Sequence, residues 1–109
     1  MMETLRSICK EANRRIETDP KVREMATAKD RTLVLQFTDE KTYTMELKGG
    51  KMLDPKEGDV QNPTLRVITD TQTLEKILNK KLNPLMAYAT KKIKTVGPLD
   101  EVMLLKDFL

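Results

Sequence analysis

An alternation of apolar and polar residues between positions 32 and 47 constrains the fold of this chain more than any other feature. Apolar side chains occur at every second position, before and then after an acidic turn: Leu33, Leu35, Phe37, Tyr43, Met45 and Leu47. A period of two is typical of β-strands that have one face on a hydrophobic core. The segment Asp39-Glu40-Lys41 supplies the turn between the two runs. The pattern therefore predicts an antiparallel hairpin.

Helical signals surround this hairpin on both sides. Residues 3–17 carry apolar side chains at helical spacing, which predicts a surface helix with one buried stripe: Leu5, Ile8, Cys9, Ala12 and Ile16. Asp19-Pro20 and Asp70 predict the starts of two further helices, because aspartate caps free N–H groups and proline fits the first helical position. Between them, residues 51–53 read as a weak edge strand, residues 55–63 as a polar loop and residues 64–69 as a fourth strand.

The last third of the chain adds a short strand between two more helices. Asn83-Pro84 predicts a helix start, residues 92–96 a fifth strand, and Gly97-Pro98 its end and the start of the final helix. Seven of the eleven residues from Leu99 to Leu109 are apolar and cover most of the helix circumference. Such a helix must be covered on more than one side, by the sheet and by a partner subunit, a membrane or a bound apolar molecule.

Length and composition predict one α+β domain over residues 1–109. A chain of 109 residues with 39% hydrophobic and 34% charged residues has the balance of a globular protein. No apolar run approaches the roughly 18 residues of a membrane span, and the N-terminus does not read as a signal peptide. A lone cysteine, Cys9, fits a reducing compartment, so the cytoplasm is the expected location.

The residue inventory argues against an enzyme. The chain has no histidine, which removes the commonest general base, most nucleophile pairs and most zinc sites. Cys9 lies on the apolar stripe of the first helix, where a buried hydrophobic role is expected. Asp39-Glu40 and Asp100-Glu101 fit a turn and a helix start better than an acid–base pair. Gly49-Gly50 lacks the spacing of a phosphate loop. No catalytic residue, metal or cofactor is predicted.

The element order and two short cassettes resemble the sterol carrier protein two family. Lys81-Leu82-Asn83-Pro84 and, about ten residues later, Lys92-Ile93-Lys94-Thr95-Val96-Gly97 fit the two motifs of its second half. The resemblance covers nearly the whole chain. Lys80 and Lys91 stand where the family usually has glycine, and Pro98 stands where it usually has aspartate. The resemblance implies a five-stranded, mostly antiparallel sheet with helices packed on one face and an apolar tunnel between the layers.

By that resemblance the chain binds and transfers lipids, whether fatty acids, other acyl chains, isoprenoids or sterol-like molecules. Binding an apolar chain needs only shape and an apolar lining, and the seven methionines favour a deformable one. The all-round apolar helix and the resemblance together predict these lining residues: Phe37, Met45, Leu82, Leu85, Met86, Ala89, Leu99, Met103, Leu104 and Phe108. Each of them also fits a plain core position.

Charge adds a prediction about surfaces. The net charge of +3 is too small to indicate nucleic acid, and the four aromatic residues are not interleaved with the basic run. The lysines around the fourth helix fit either a solvated rim or a transient contact with an anionic membrane: Lys80, Lys81, Lys91 and Lys92.

Two other classes of function remain open. One is an interaction module in which the apolar final helix packs against another subunit, as in a homodimer. The other is an accessory subunit that presents a lipid-like substrate to an enzyme of a lipid-modifying or quinone pathway.

Overall fold

The computed structural model describes residues 1–108, and the side chains of residues 1–104. These residues form five helices and six strands, in this order: α1 (Met2–Thr18), α2 (Pro20–Ala28), β1 (Arg31–Phe37), β2 (Thr42–Lys48), β3 (Lys51–Met52), β4 (Lys56–Glu57), β5 (Leu65–Thr69), α3 (Thr71–Leu78), α4 (Pro84–Ala89), β6 (Lys94–Val96) and α5 (Leu99–Phe108). None of the helices in these residues has the length and apolar composition needed to cross a bilayer.

The strands form one mixed sheet in the order β3-β2-β1-β5-β6, with β4 paired onto β2. The β1–β5 pair is parallel and the other pairs are antiparallel. The predicted α+β class and mostly antiparallel sheet are therefore confirmed. The expected count of five strands becomes six, because Lys56 and Glu57 pair with Thr44 and Tyr43 inside the segment predicted as a loop.

Helices α1, α3 and α5 pack on the face of the sheet that carries the alternating apolar residues. From α1, Leu5 and Cys9 are buried against this face, as the helical spacing predicted. Leu74 of α3 belongs to the same core, and Val102 of α5 packs against it. A second, smaller cluster joins Ile16 of α1, Ala26 of α2 and Leu47 of β2.

The opposite face of the sheet is also covered, which the alternation did not predict. Val34 is fully buried there, between its register partners Thr44 and Arg66. The Thr44 hydroxyl donates to the Gly58 carbonyl at 2.8 Å, and Arg66 donates to both carboxylate oxygens of Asp59 at 2.9–3.0 Å. The segment 58–60, called here the covering loop, thus lies over this face.

Local signals explain where the helices begin. The side chains of Asp19, Asp70 and Asn83 each accept a hydrogen bond from a backbone N–H in the first turn of α2, α3 and α4. These three predicted caps are confirmed. Gly97, which precedes α5, has a φ of +147°, and a Cβ there would lie 2.9 Å from the Thr64 carbonyl oxygen. Only glycine lets the chain pass so close to β5.

Candidate ligand-binding site

An apolar cavity of about 90 Å³ lies between α1, α5 and the sheet. Its floor is one row of side chains across three strands, because Met45 of β2 and Leu65 of β5 are both register partners of Leu33 in β1. Leu33 is only half-buried although β1 is a central strand. The sheet is therefore less tightly covered at Leu33 than at the next row, where Leu35 is buried, although Met45 and Leu65 on either side of Leu33 are themselves buried.

Three helices (α1, α2 and α5), the strands β1, β2 and β3, and Thr64 just before β5 supply the remaining walls. These residues are the apolar ones Ile8, Ala12, Met25, Leu47, Met52 and Leu104, and the polar ones Arg31, Thr32, Thr64 and Glu101. Three of the seven methionines of the chain line the cavity. Because methionine is unbranched and has several rotatable bonds, these walls can change shape at little energetic cost.

The cavity is small compared with the ligand pockets of other proteins. Ligand pockets commonly enclose about 300–1,000 Å³, several times the 90 Å³ of this space. The cavity is nevertheless larger than the roughly 30 Å³ that one water molecule occupies in the liquid. An acyl chain would fit only after the walls move apart.

Glu101 is the one charged side chain, among those described, that is almost completely buried, at 4% exposure. Its Oε2 accepts a hydrogen bond from Arg31 Nε at 2.9 Å, and Lys29 Nζ lies 2.8 Å from its Oε1. The first-turn position expected for Asp100 and Glu101 is confirmed. Asp100 is exposed, however, whereas Glu101 turns inward to the cavity.

Two of the ten predicted lining residues, Met45 and Leu104, border this cavity. Phe37 lies in the sealed core, with its ring edge-on to Tyr43 at a centroid distance of 6.1 Å. Leu82 is half-buried and lies outside the lining. Five others are exposed on α4 or α5: Leu85, Met86, Ala89, Leu99 and Met103. The side chain of Phe108 lies outside the described residues. Ligand contact by the set stays a prediction.

Sequence reasoning missed the wall contributed by α1 and the charged end of the cavity. Helical spacing predicts that Ile8 and Ala12 belong to the buried stripe of α1. Ala12 is buried, but Ile8 is only partly buried, and spacing does not show that this part of the stripe faces a gap. The row through Leu33 and Leu65 depends on the parallel register of β1 and β5, and the sequence signal does not fix that register.

The model of the SCP-2 sterol transfer family matches residues 9–109. The chain belongs to this family. No characterised protein sequence compared with it gave a significant match. Across the described residues of this SCP-2 family member, no three His, Cys, Asp or Glu side chains cluster as they would around a metal ion.

Solved structures share the fold at low identity. Sterol carrier protein 2 from Aedes aegypti, in complex with palmitate, is 21% identical with a TM-score of 0.66, covering 93% of this chain and 89% of its own. The ubiquinone synthesis protein UbiJ is 12% identical with a TM-score of 0.67, covering 94% and 89%. The alkylsulfatase Pisa1 from Pseudomonas sp. is 23% identical with a TM-score of 0.64 over 78% of this chain, which spans only 13% of the sulfatase.

Proposed function

We propose that this SCP-2 family member binds a lipid with a flexible acyl chain in the cavity above Leu33, and transfers it without catalysing a reaction. The observation that carries the proposal is the half-buried Leu33 of the central strand β1, which lies beneath an apolar space between α1, α5 and the sheet. A buried reduced thiol at Cys9 is in keeping with work in the cytoplasm.

Energetics favour such a ligand. Each methylene moved from water into an apolar site contributes about 0.8 kcal/mol, so a chain of ten to fourteen carbons contributes roughly 8–11 kcal/mol before the costs of ordering it. Part of that energy would be used to widen the cavity. The Aedes aegypti neighbour is a complex with palmitate, which supports palmitate as the first ligand to test.

Filling the cavity from its α1 wall tests the site. Ala12 is buried and lines the cavity, whereas Ala28 is exposed at the end of α2. Ala12→Leu adds bulk where the acyl chain would lie, and Ala28→Leu adds the same atoms to the surface. We expect saturable binding of a fluorescent fatty acid to the parent protein, about tenfold weaker binding to Ala12→Leu, and unchanged binding to Ala28→Leu.

The proposal fails if the parent protein, folded and monodisperse, shows no saturable binding. Equal affinities for the parent and a folded Ala12→Leu variant would place the lipid elsewhere. The exposed residues of α4 and α5 predicted from the sequence would then be the next positions to substitute.

A second proposal concerns α4, which we infer docks transiently on anionic membranes. Leu85, Met86 and Tyr88 of this helix are exposed, at 44%, 58% and 40%. Lysines flank it on both sides, and all four are exposed: Lys80, Lys81, Lys91 and Lys92. Apolar side chains between lysines suit a membrane surface, which has an apolar interior and negatively charged headgroups.

The backbone gives independent support for a role of these lysines. Lys80 and Lys91 have φ values of +59° and +63°, a region that residues other than glycine enter at an energetic cost. Both stand at positions where the family usually has glycine. A lysine occupies this costly conformation on each side of α4, which is consistent with a functional benefit from its positive charge.

Vesicle sedimentation tests the membrane contact. Changing Lys80, Lys81, Lys91 and Lys92 to glutamine removes four charges beside α4. A matched variant removes four charges elsewhere, from the exposed Lys10, Lys21, Lys51 and Lys56. With each lysine contributing about 1 kcal/mol near an anionic surface, we expect at least tenfold weaker partitioning onto phosphatidylserine vesicles for the first variant only. If partitioning weakened equally in both variants, the effect would depend only on the net charge of the protein.

The interaction-module alternative has support from α5, where Leu99 and Met103 are 64% and 42% exposed. The chain shares its fold with the ubiquinone synthesis protein UbiJ, so we retain an accessory role in a quinone pathway as an alternative. Native mass spectrometry separates the alternatives. If the protein is a dimer, and Leu99→Glu and Met103→Glu make it monomeric while lipid binding is retained, the interface is favoured. A monomer that co-purifies with a lipid favours the carrier.

A further inference from the structure

Three charged side chains meet where the apolar cavity approaches the start of α5. Arg31 and Glu101 both line the cavity, and Lys29 reaches Glu101 from the segment before β1. Arg31 is 16% exposed and Lys29 about half exposed, so the cluster runs from the cavity to the surface. It is the only charged part of an otherwise largely apolar lining among the described residues.

The burial of Glu101 is energetically expensive and incompletely compensated. Taking a carboxylate out of water costs several kcal/mol unless all of its oxygen atoms are well bonded. Oε2 accepts from Arg31, but Oε1 has no hydrogen-bond partner among the described residues, although Lys29 Nζ lies 2.8 Å away. The ammonium contact is thus electrostatic without hydrogen-bond alignment. A helix start needs no buried acid, since the exposed Asp100 already provides negative charge there.

Arg31 has donors left over. Its Nε donates to Glu101, and its Nη1 donates to the Met25 carbonyl at 2.9 Å. No hydrogen bond from Nη2 is found among the described residues. A guanidinium carries five N–H donors in a fork that matches a carboxylate. Arg31, which lines the cavity, therefore has the chemistry to bind the carboxylate of a ligand.

We propose that Arg31 and Lys29 form a headgroup subsite for the carboxylate of a fatty acid, and that Glu101 occupies it while the cavity is empty. The ligand's carboxylate and that of Glu101 compete for the same two cations. The inference rests on the proposed function and names the ligand class that the site prefers.

Matched lipids and matched variants test this competition. The probes are palmitate and hexadecanol, which have the same chain length but differ in whether the headgroup carries a negative charge. Glu101→Gln removes the competing charge and keeps the size of the side chain. Asp100→Asn makes the same change of net charge at the exposed neighbour. Lys29→Gln weakens the subsite from its exposed end without disturbing the core.

We expect Glu101→Gln to bind palmitate about tenfold more tightly, the equivalent of roughly 1.4 kcal/mol, with hexadecanol affinity within twofold of the parent. Lys29→Gln should bind palmitate about threefold more weakly and hexadecanol equally well. Asp100→Asn should change neither affinity. Circular dichroism of each variant shows whether it is folded.

Two results would overturn the inference. One is an equal shift of both lipids in Glu101→Gln, which would make Glu101 a structural contact only. The other is that Lys29→Gln and the parent bind palmitate with the same affinity. This second result is decisive even if Glu101→Gln does not fold. If neither lipid binds the parent protein, the carrier function itself fails, which separates the two outcomes.

Discussion

Lys80 and Lys91 show how single residues depart from what their backbone prefers. Their positive φ values place them in the left-handed region, where a Cβ atom approaches the following carbonyl oxygen. Each follows a helix, α3 or α4, at the position where helices commonly end on glycine. The family pattern identified these as glycine positions, and the backbone of this chain keeps a conformation that suits glycine.

Replacing Lys91 by glycine should therefore stabilise the protein. The left-handed conformation costs a residue with a side chain about 1–2 kcal/mol, part of which is offset by the greater freedom of glycine in the unfolded chain. We expect Lys91→Gly to raise the free energy of unfolding in urea by about 0.5–1 kcal/mol. Lys91→Ala is the control, because it removes the same charge but keeps the Cβ. Equal stabilities of the two variants would contradict the prediction.

Cys9 should behave as an inert thiol in the folded protein. Burial, and to a lesser extent the charge of Asp54, raises the pKa of Cys9 to about 11. Its Sγ also lies 3.5 Å from the Leu53 carbonyl oxygen. At pH 8 almost none of it is thiolate, the reactive form. We expect a thiol reagent to label the native protein slowly and the urea-unfolded protein completely. Rapid labelling of the native protein would show that the α1 stripe opens easily.

At the scale of elements, one asparagine side chain joins the edge strand β3 to α1 by two hydrogen bonds. Asn13 Nδ2 donates to the Met52 carbonyl at 3.0 Å, and the Met52 N–H donates to Asn13 Oδ1 at 2.8 Å. The amide thus takes the place of another strand at the open edge of the sheet. Met52 lines the cavity, so this contact also fixes one of its walls.

Loss of this contact should destabilise the protein measurably. Asn13→Ala removes two partly buried hydrogen bonds, each contributing about 0.5–1.5 kcal/mol. We expect the free energy of unfolding to fall by about 1–3 kcal/mol, with faster hydrogen exchange at the Met52 amide. The control is Asn79→Ala, at an exposed position after α3. An unchanged Met52 exchange rate in Asn13→Ala would show that β3 does not depend on the asparagine.

Elements with a local signal were the ones that the sequence could predict. The hairpin, the caps Asp19, Asp70 and Asn83, and the buried stripe of α1 all follow from neighbouring residues. The strand β4 and the Asn13 contact join segments far apart in the chain, and no local pattern encodes them. The inward turn of Glu101 belongs to the same class, because its partner Arg31 lies 70 positions away.

At the scale of the whole molecule, the cavity is where sequence reasoning was least complete. It led to the SCP-2 family, and Met45 and Leu104 of its predicted lining set border the cavity. Ligand contact by these residues stays a prediction. Apolar content alone does not separate a filled core from a gap, since both need the same side chains. The decisive features, the half-buried Leu33 and the wall of α1, depend on how the layers pack.

A ligand that binds only the folded protein must raise its thermal stability. At a palmitate concentration one hundred times the Kd, linkage contributes about 2.7 kcal/mol, which for a chain of 109 residues corresponds to a rise in Tm of roughly 10 °C. We expect this rise by calorimetry, and a smaller one for Ala12→Leu at the same concentration. A Tm that does not change with palmitate would contradict binding to the native state.

The covering loop bears on which side of the sheet could move if a ligand entered the cavity. Thr44 and Arg66 hold that loop against the back of the sheet, so the loop restricts movement of the strands toward that side. Any expansion of the cavity would then fall mainly on the helical layer, with the strands as the stationary support. Entry and exit of cargo would accordingly be governed by how readily the helices lift, so a carrier of this design could be retuned without altering a strand.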